Sequence, residues 1–181
     1  MAVLVNGAGN EVTSQMDADL FTMIFGTKRM VFNIGRKMQA EIVDNNTVRI
    51  YDGELISKGR LVYIIPNTYD VFKIETGVQG VIRYDIIGYR LYRNSGKELC
   101  EGFVKKDVGI AGVIEEKNFR DGVEEVYIPL YRIKIDSLTI TEISALYDGI
   151  FSGLQREIGY GSAEPESDTG QDGDIYIVLE E

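Results

Sequence analysis

The sequence lacks several residues on which common enzyme mechanisms depend. Its 181 residues include no histidine, no tryptophan and a single cysteine, Cys100. The absence of histidine removes the commonest general base, the commonest metal ligand and every Ser-His or Cys-His dyad. Cys100 has no second cysteine with which to form a disulfide or a thiolate cluster, and we interpret it as an ordinary buried or half-buried thiol, not a nucleophile. We therefore predict that the protein is not an enzyme and uses no cofactor.

Local motifs for catalysis and metal binding are lacking too. No glycine-rich stretch has the spacing of a phosphate loop, and neither G-x-S-x-G nor H-E-x-x-H occurs. The stretch DTGQDGD at 168–174 departs from a calcium loop, because position three is Gly170 and position twelve is Leu179. We predict no metal site. A carboxylate pair positioned by the fold stays open as a basis for glycan hydrolysis, but none of the 29 acidic residues stands out.

Excess positive charge and long apolar runs are also missing. The chain has 29 acidic and 19 basic residues and a formal net charge of −10, which argues against binding to a nucleic-acid backbone. The longest apolar stretches, such as LVYII at 61–65, are too short to cross a bilayer, and the N-terminus does not resemble a signal peptide. We expect a protein made in the cytoplasm that has neither a nucleic-acid nor a membrane partner.

The sequence does contain many short segments with a period of two. From residue 30 to residue 93, runs rich in Val, Ile, Tyr and Phe alternate with turn signals at 44–46, 52–53, 57–59, 66–68 and 94–96. A further strand is predicted at 126–135, where Pro129 indicates an edge or a bulge. The predicted fold is mainly β (α+β): an antiparallel meander or small sandwich with an N-terminal helix and a second helix near the C-terminus.

The N-terminal helix is predicted at 13–25, TSQMDADLFTMIF. Thr13 or Ser14 can cap its start, and Gly26 stands where a helix commonly stops. An apolar stripe follows helical spacing, and it consists of Met16, Leu20, Met23 and Ile24. We expect this stripe to pack on the sheet; the alternative is a ligand for a partner's groove.

The C-terminal part completes the predicted organisation of the chain. We predict a β-rich domain at 1–135, a helix at 136–158, and an acidic Gly/Ser/Pro linker with a terminal strand at 159–181. Gly149 and Gly153 lie four residues apart, so they would permit a close helix–helix contact between subunits; the alternative is a helix that stops near Gly149. The terminal strand carries Ile175 and Ile177, which we expect to complete their own sheet or to pair with a neighbouring subunit.

Arg83 and Asp85 form a charged pair inside the apolar run GVIRYDIIGYRLY. Residues two apart on a strand point to the same face of the sheet, so the two side chains can contact each other. A same-face ion pair of this kind is usually structural. We therefore predict that Arg83 and Asp85 support the fold and do not form a site.

Four motifs follow one another along the chain: a helix ending in LFTMIFG at 20–26, NTVRIYDGELISKGR at 46–60, IETGVQGVIRYDIIGYRLY at 74–92 and a terminal GDIYI strand. In the order of these motifs, the sequence resembles a group of minor structural proteins of tailed phages and prophages of Gram-positive bacteria. The resemblance implies a virion protein of the tail tip or baseplate, assembled in the host cytoplasm. It also implies a homo-oligomer, often a trimer, that connects to receptor-binding or fibre components of the tail.

A second function is compatible with the composition. The chain has 11 tyrosines, and aromatic side chains are the usual contacts for sugar rings. The alternative prediction is therefore a carbohydrate-binding module that recognises a bacterial cell-wall polysaccharide. A glycan-degrading enzyme that uses two carboxylates is the third class.

Overall fold

The computed structural model describes residues 12–153, 158–161 and 175–178, and it confirms a mainly β architecture with one helix near the N-terminus. The chain divides into two compact units, residues 1–151 and 152–181. The helix is α1 (Ser14–Phe25) and a short 3-10 turn spans Phe119–Asp121. The strands of the first unit are β1 (Met30–Phe32), β2 (Ala40–Asp44), β3 (Thr47–Ser57), β4 (Arg60–Lys73), β5 (Ile82–Asn94), β6 (Lys97–Lys105), β7 (Glu125–Asp136), β8 (Thr139–Ala145) and β9 (Gly149–Phe151).

The first sheet is built around the long strand β3. Strand β4 pairs with one side of β3, while β2 and β1 pair with successive parts of its other side, all antiparallel. Strand β9 then adds to β1 in parallel. The second sheet is a fully antiparallel array in the order β6-β5-β7-β8. The predicted small sandwich is therefore the architecture of this unit.

The two sheets share one hydrophobic core, because alternate residues of each strand point inward. Its buried members include Val48, Ile50 and Phe72 from the first sheet and Ile87, Ile128 and Ile133 from the second. The β-branched residues that gave the period-two pattern are thus the residues that fill the space between the sheets.

Three of the five predicted turns are real and two are not. The signals at 44–46, 57–59 and 94–96 form the tight connections from β2 to β3, from β3 to β4 and from β5 to β6. The signals at 52–53 and 66–68 lie inside β3 and β4, where the chain does not reverse. The pairing jumps from Tyr51↔Tyr69 to Gly53↔Ile64, so β4 bulges at this point. Asp52 is buried there, and its Oδ2 accepts a hydrogen bond from the Asn67 N–H over 3.2 Å.

Pro129 marks a bulge, which was one of the two predicted explanations. The register between β5 and β7 moves from Ile87↔Tyr131 to Gly88↔Pro129 at this point. Strand β7 pairs with β5 on one side and with β8 on the other, so it is not an edge strand.

The predicted second helix is wrong over the described part of 136–158. Residues 139–145 form strand β8 and residues 149–151 form β9. The segment Thr139–Ser144 alternates and is rich in β-branched residues, and pairing with β7 buries Ile140 opposite Ile135. This burial favours a strand, although the apolar residues also satisfy helical spacing. Residues 154–157 lie outside the described residues.

The second unit contains two described strands, β10 (Ile158–Gly161) and β11 (Ile175–Val178). They pair in parallel, with Ile158 opposite Ile175 and Tyr160 opposite Ile177. The predicted terminal strand is therefore present. The predicted linker begins at residue 159, and this part of the prediction is wrong because residues 159–161 belong to β10. Residues 162–174, with the acidic stretch at 168–174, lie outside the described residues. Within the part of the chain that the structure describes, no helix is both long and apolar enough to cross a membrane.

Candidate interaction surfaces

Arg83 and Asp85 contact each other as predicted, and the pair holds three segments together. Arg83 Nε donates to Asp85 Oδ1 over 2.9 Å and Arg83 Nη2 donates to Oδ2 over 3.0 Å. The Arg83 guanidinium also donates hydrogen bonds to the carbonyl oxygens of Glu75 and Thr76, in the connection between β4 and β5. The Asp107 N–H donates to Asp85 Oδ1 over 2.9 Å, which ties down the end of β6.

The burial of this pair explains its structural role. The Asp85 side chain is 0% exposed and that of Arg83 is 11% exposed. Both carboxylate oxygens of Asp85 accept charge-assisted hydrogen bonds, so its charge is compensated without water. The geometry agrees with a cross-link between loops and leaves Asp85 inaccessible to a ligand.

The apolar stripe of α1 does not pack where the sequence predicted. The helix begins and ends as expected, because Thr13 accepts the Met16 N–H and Gly26 closes the last turn. However, the helix turns its small residues to the protein: Ala18 is buried and lies against Gly59 of the β3–β4 turn. The stripe faces outward, and we call its exposed part, Leu20, Met23 and Ile24, the helix stripe.

The prediction that this stripe packs on the sheet is therefore wrong. Met23 is 84% exposed, Leu20 53% and Ile24 43%. The close approach of Ala18 to Gly59 is possible only for small residues. Phe25 also packs on the sheet, with its ring centroid 5.3 Å from that of Phe32 on β1 and 5.2 Å from that of Phe151 on β9. The helix therefore packs on the sheet through Ala18 and Phe25 and leaves the helix stripe exposed, and an exposed apolar stripe of this kind is typical of a surface used in association.

A second surface lies on the outer side of the first sheet, and the sequence prediction did not identify it. Tyr51 on β3 pairs directly with Tyr69 on β4, and their ring centroids are 6.2 Å apart. The Arg36 guanidinium lies 3.2 Å from the Tyr51 ring centroid, and Arg49 lies 4.2 Å from that of Tyr69. Glu41 accepts hydrogen bonds from Arg49 and from the Tyr51 hydroxyl. We call these five residues the tyrosine–arginine face.

A groove of about 560 Å³ lies between β4 and β6 and contains Cys100. The Tyr89 hydroxyl donates to Asp70 Oδ2 over 2.8 Å, and burial raises the pKa of Tyr89, so the tyrosine remains a protonated donor. Cys100 is exposed, so the predicted burial of this residue is wrong. Partial desolvation of its thiol, together with the charges of Asp70 and Glu101, raises the pKa of Cys100 to about 11. A thiol with a raised pKa is a poor nucleophile, in agreement with the interpretation of Cys100 as an ordinary cysteine.

Alkylation of Cys100 is expected to be slow in the native protein. A pKa of about 11 in place of about 9 lowers the thiolate fraction near pH 8 roughly a hundredfold. The thiolate of a thiol with a higher pKa is the stronger nucleophile, which offsets about half of this effect. Iodoacetamide labelling followed by mass spectrometry should therefore proceed roughly tenfold more slowly in buffer than in urea, where the thiol regains its ordinary pKa. Equal rates in the two conditions would contradict the described environment of the thiol.

The glycines and isoleucines predicted at an oligomer interface occupy different elements. Gly149 begins β9 and pairs with Met30, and Gly153 follows the end of that strand. The helix–helix contact predicted from their spacing is not formed, because neither residue lies in a helix. Ile175 and Ile177 lie on β11, beside β10. Whether they contact a neighbouring subunit stays a prediction.

Family models and curated proteins supply no relative from which a role can be transferred. No family model matches the chain, and no curated protein matches it either. Among the described residues, no three acidic or cysteine side chains are grouped as metal ligands would be. The fold of residues 12–151 is a two-sheet β-sandwich, and one helix precedes its first strand.

Proposed function

We propose that this chain is a structural protein of a phage or prophage virion, located at the tail tip or baseplate. In this role it assembles as a homo-oligomer, by resemblance a trimer, and connects to receptor-binding or fibre components. The resemblance described above supports the tail assignment. The observation that carries the assembly part of the proposal is the exposed helix stripe of Leu20, Met23 and Ile24.

The stripe has the properties of an association surface. Full burial of one such side chain contributes about 1.5–3 kcal/mol, so covering three that are roughly half exposed or more contributes on the order of 3 kcal/mol. The stripe contains no charge, which allows two copies of a chain with net charge −10 to approach each other there. It supplies only part of the contact area that a stable oligomer needs, so neighbouring surface must contribute as well.

Met23→Lys is expected to weaken assembly without unfolding the protein. Placing a lysine in an apolar interface should lower the association constant by at least about a hundredfold. Light scattering behind size-exclusion chromatography should show the wild type as a multiple of 20.3 kDa and the variant shifted towards a single chain. Because Met23 is 84% exposed, the free energy of unfolding should change by less than about 0.5 kcal/mol.

Val113→Lys is the matched control, because Val113 is also 84% exposed and receives the same charge. It should leave the oligomer intact. The same two variants can be tested in a prophage from which the gene has been deleted. There, the wild-type chain and Val113→Lys should restore infective particles, and Met23→Lys should not. A monomeric wild type, or full restoration by Met23→Lys, would contradict assembly through the helix stripe.

A further inference from the structure

The tyrosine–arginine face is an ordered aromatic surface that the proposed structural role does not require. It lies on β2, β3, β4 and the residues before β2, on the side of the first sheet opposite the core. Tyr51 and Tyr69 pack edge to face at 73°, and Tyr69 is 49% exposed. Exposed Val71, on the same side of β4 as Tyr69, extends the apolar part of the surface.

The two arginines of this face are held in place by the tyrosine rings. A guanidinium stacked on an aromatic ring keeps its N–H groups pointing outward along its edge, where they can bind an anion. Arg49 already donates to Glu41 Oε2 over 3.2 Å and to the Tyr51 hydroxyl over 3.3 Å. Arg36 is exposed and makes no ion pair within the described part of the chain, so its donors remain available.

The charge of this face is opposite to that of the chain as a whole. The face contains two arginines and one carboxylate, that of Glu41, so it is positively charged in a protein with a net charge of −10. A ligand with a high density of negative charge would be repelled by the rest of the surface. A ligand with one isolated negative charge beside an apolar ring face matches both the arginines and the tyrosines.

We propose that the tyrosine–arginine face binds an acidic saccharide, that is, a glycan that carries carboxylates at intervals along its chain. The C–H face of a sugar ring packs on Tyr69 and Val71, and the sugar carboxylate accepts hydrogen bonds from Arg36. Tyr51 holds Arg36 in position and is a positioning residue. This site is independent of the helix stripe, so it can fail while the structural role holds, and the reverse is also true.

The test is a titration of the full chain with two tetrasaccharides, followed by two-dimensional NMR and calorimetry. A hyaluronan tetrasaccharide supplies carboxylates, and chitotetraose is the neutral probe. We expect the acidic probe to bind and to shift the resonances of residues 36, 49, 51 and 69, while the neutral probe binds at least about tenfold more weakly. Arg36→Ala and Tyr69→Ala should each weaken binding of the acidic probe by about tenfold or more.

The chain offers a matched control on its other sheet. Arg90 lies 4.5 Å from the Tyr92 ring centroid, so Arg90→Ala and Tyr92→Ala remove an equivalent stack elsewhere. These variants should leave binding unchanged, and thermal unfolding should show that all four variants fold. Failure of the acidic probe to bind, equal binding of the neutral probe, or equal losses in the control variants would overturn the proposal. Tighter binding of a thymidine octanucleotide would overturn it too, in favour of a single-stranded nucleic acid.

Discussion

Replacing Asp85 with alanine is expected to lower the free energy of unfolding by about 3–5 kcal/mol, because the change leaves a buried charge uncompensated. The guanidinium of Arg83 would lose both of its bonds to the carboxylate, and the Asp107 N–H would lose its acceptor. Asp85→Asn keeps the shape and one acceptor oxygen, so its cost should be smaller. Urea unfolding followed by circular dichroism measures the differences.

The control for this prediction lies on the same strand. Arg90 pairs with Glu101 and Glu125 at 3.5 and 3.6 Å, and these side chains are about a third to a half exposed. Arg90→Ala should therefore cost less than about 1 kcal/mol. A loss for Asp85→Ala no larger than that for Arg90→Ala would contradict the structural role assigned to the buried pair.

Gly59→Ala is expected to have the second large effect, because it forces α1 away from the sheet. A Cβ added at Gly59 would lie 1.8 Å from the Ala18 carbonyl oxygen, a backbone atom of the helix. The positive φ of 75° adds a strain of about 1–2 kcal/mol, and the overlap should add about 1–3 kcal/mol more. Hydrogen exchange should show that the amides of residues 18–25 lose protection.

Gly96→Ala separates the cost of backbone strain from the cost of steric overlap. Gly96 occupies the turn between β5 and β6 with a φ of 76°, and nothing lies within 4 Å of the added Cβ. It should therefore show only the backbone strain, and the protection of α1 should not change. If Gly59→Ala and Gly96→Ala were equally destabilising, the close packing of α1 on the β3–β4 turn would be wrong.

The sequence predicted the elements that local chemistry determines. Thr13 and Gly26 define the ends of α1, and the turn residues at 44–46, 57–59 and 94–96 define three hairpins. The alternation of β-branched residues located most strands, since burial on one side of a sheet imposes a period of two. The contact between Arg83 and Asp85 followed from the same alternation.

The features that the sequence did not predict depend on contacts between distant parts of the chain. Residues 139–145 satisfy both helical and strand spacing, and pairing with β7 decides in favour of the strand. The outward orientation of the helix stripe depends on the approach of Ala18 to Gly59, about forty residues away, which no local pattern encodes. Strand β6 was missed because Lys97–Lys105 is charged and exposed on an outer edge of its sheet.

The tyrosine–arginine face was missed for a related reason. Its residues come from separate segments, and only the pairing of β3 with β4 brings Tyr51 beside Tyr69. The local signal was limited to the alternation of Arg49 and Tyr51, which is equally common in a half-buried strand. Side chains on the outer face of a sheet become a site only when the register of the strands is known.

The most direct test of the proposed function is peptide mass spectrometry on density-banded phage particles, released from cells that carry the gene. If the chain is a tail-tip or baseplate protein, its peptides should occur in intact particles at a small number of copies relative to the major tail protein. If it is absent from intact particles while present in the same lysate, the proposal that it is a structural part of the virion is wrong.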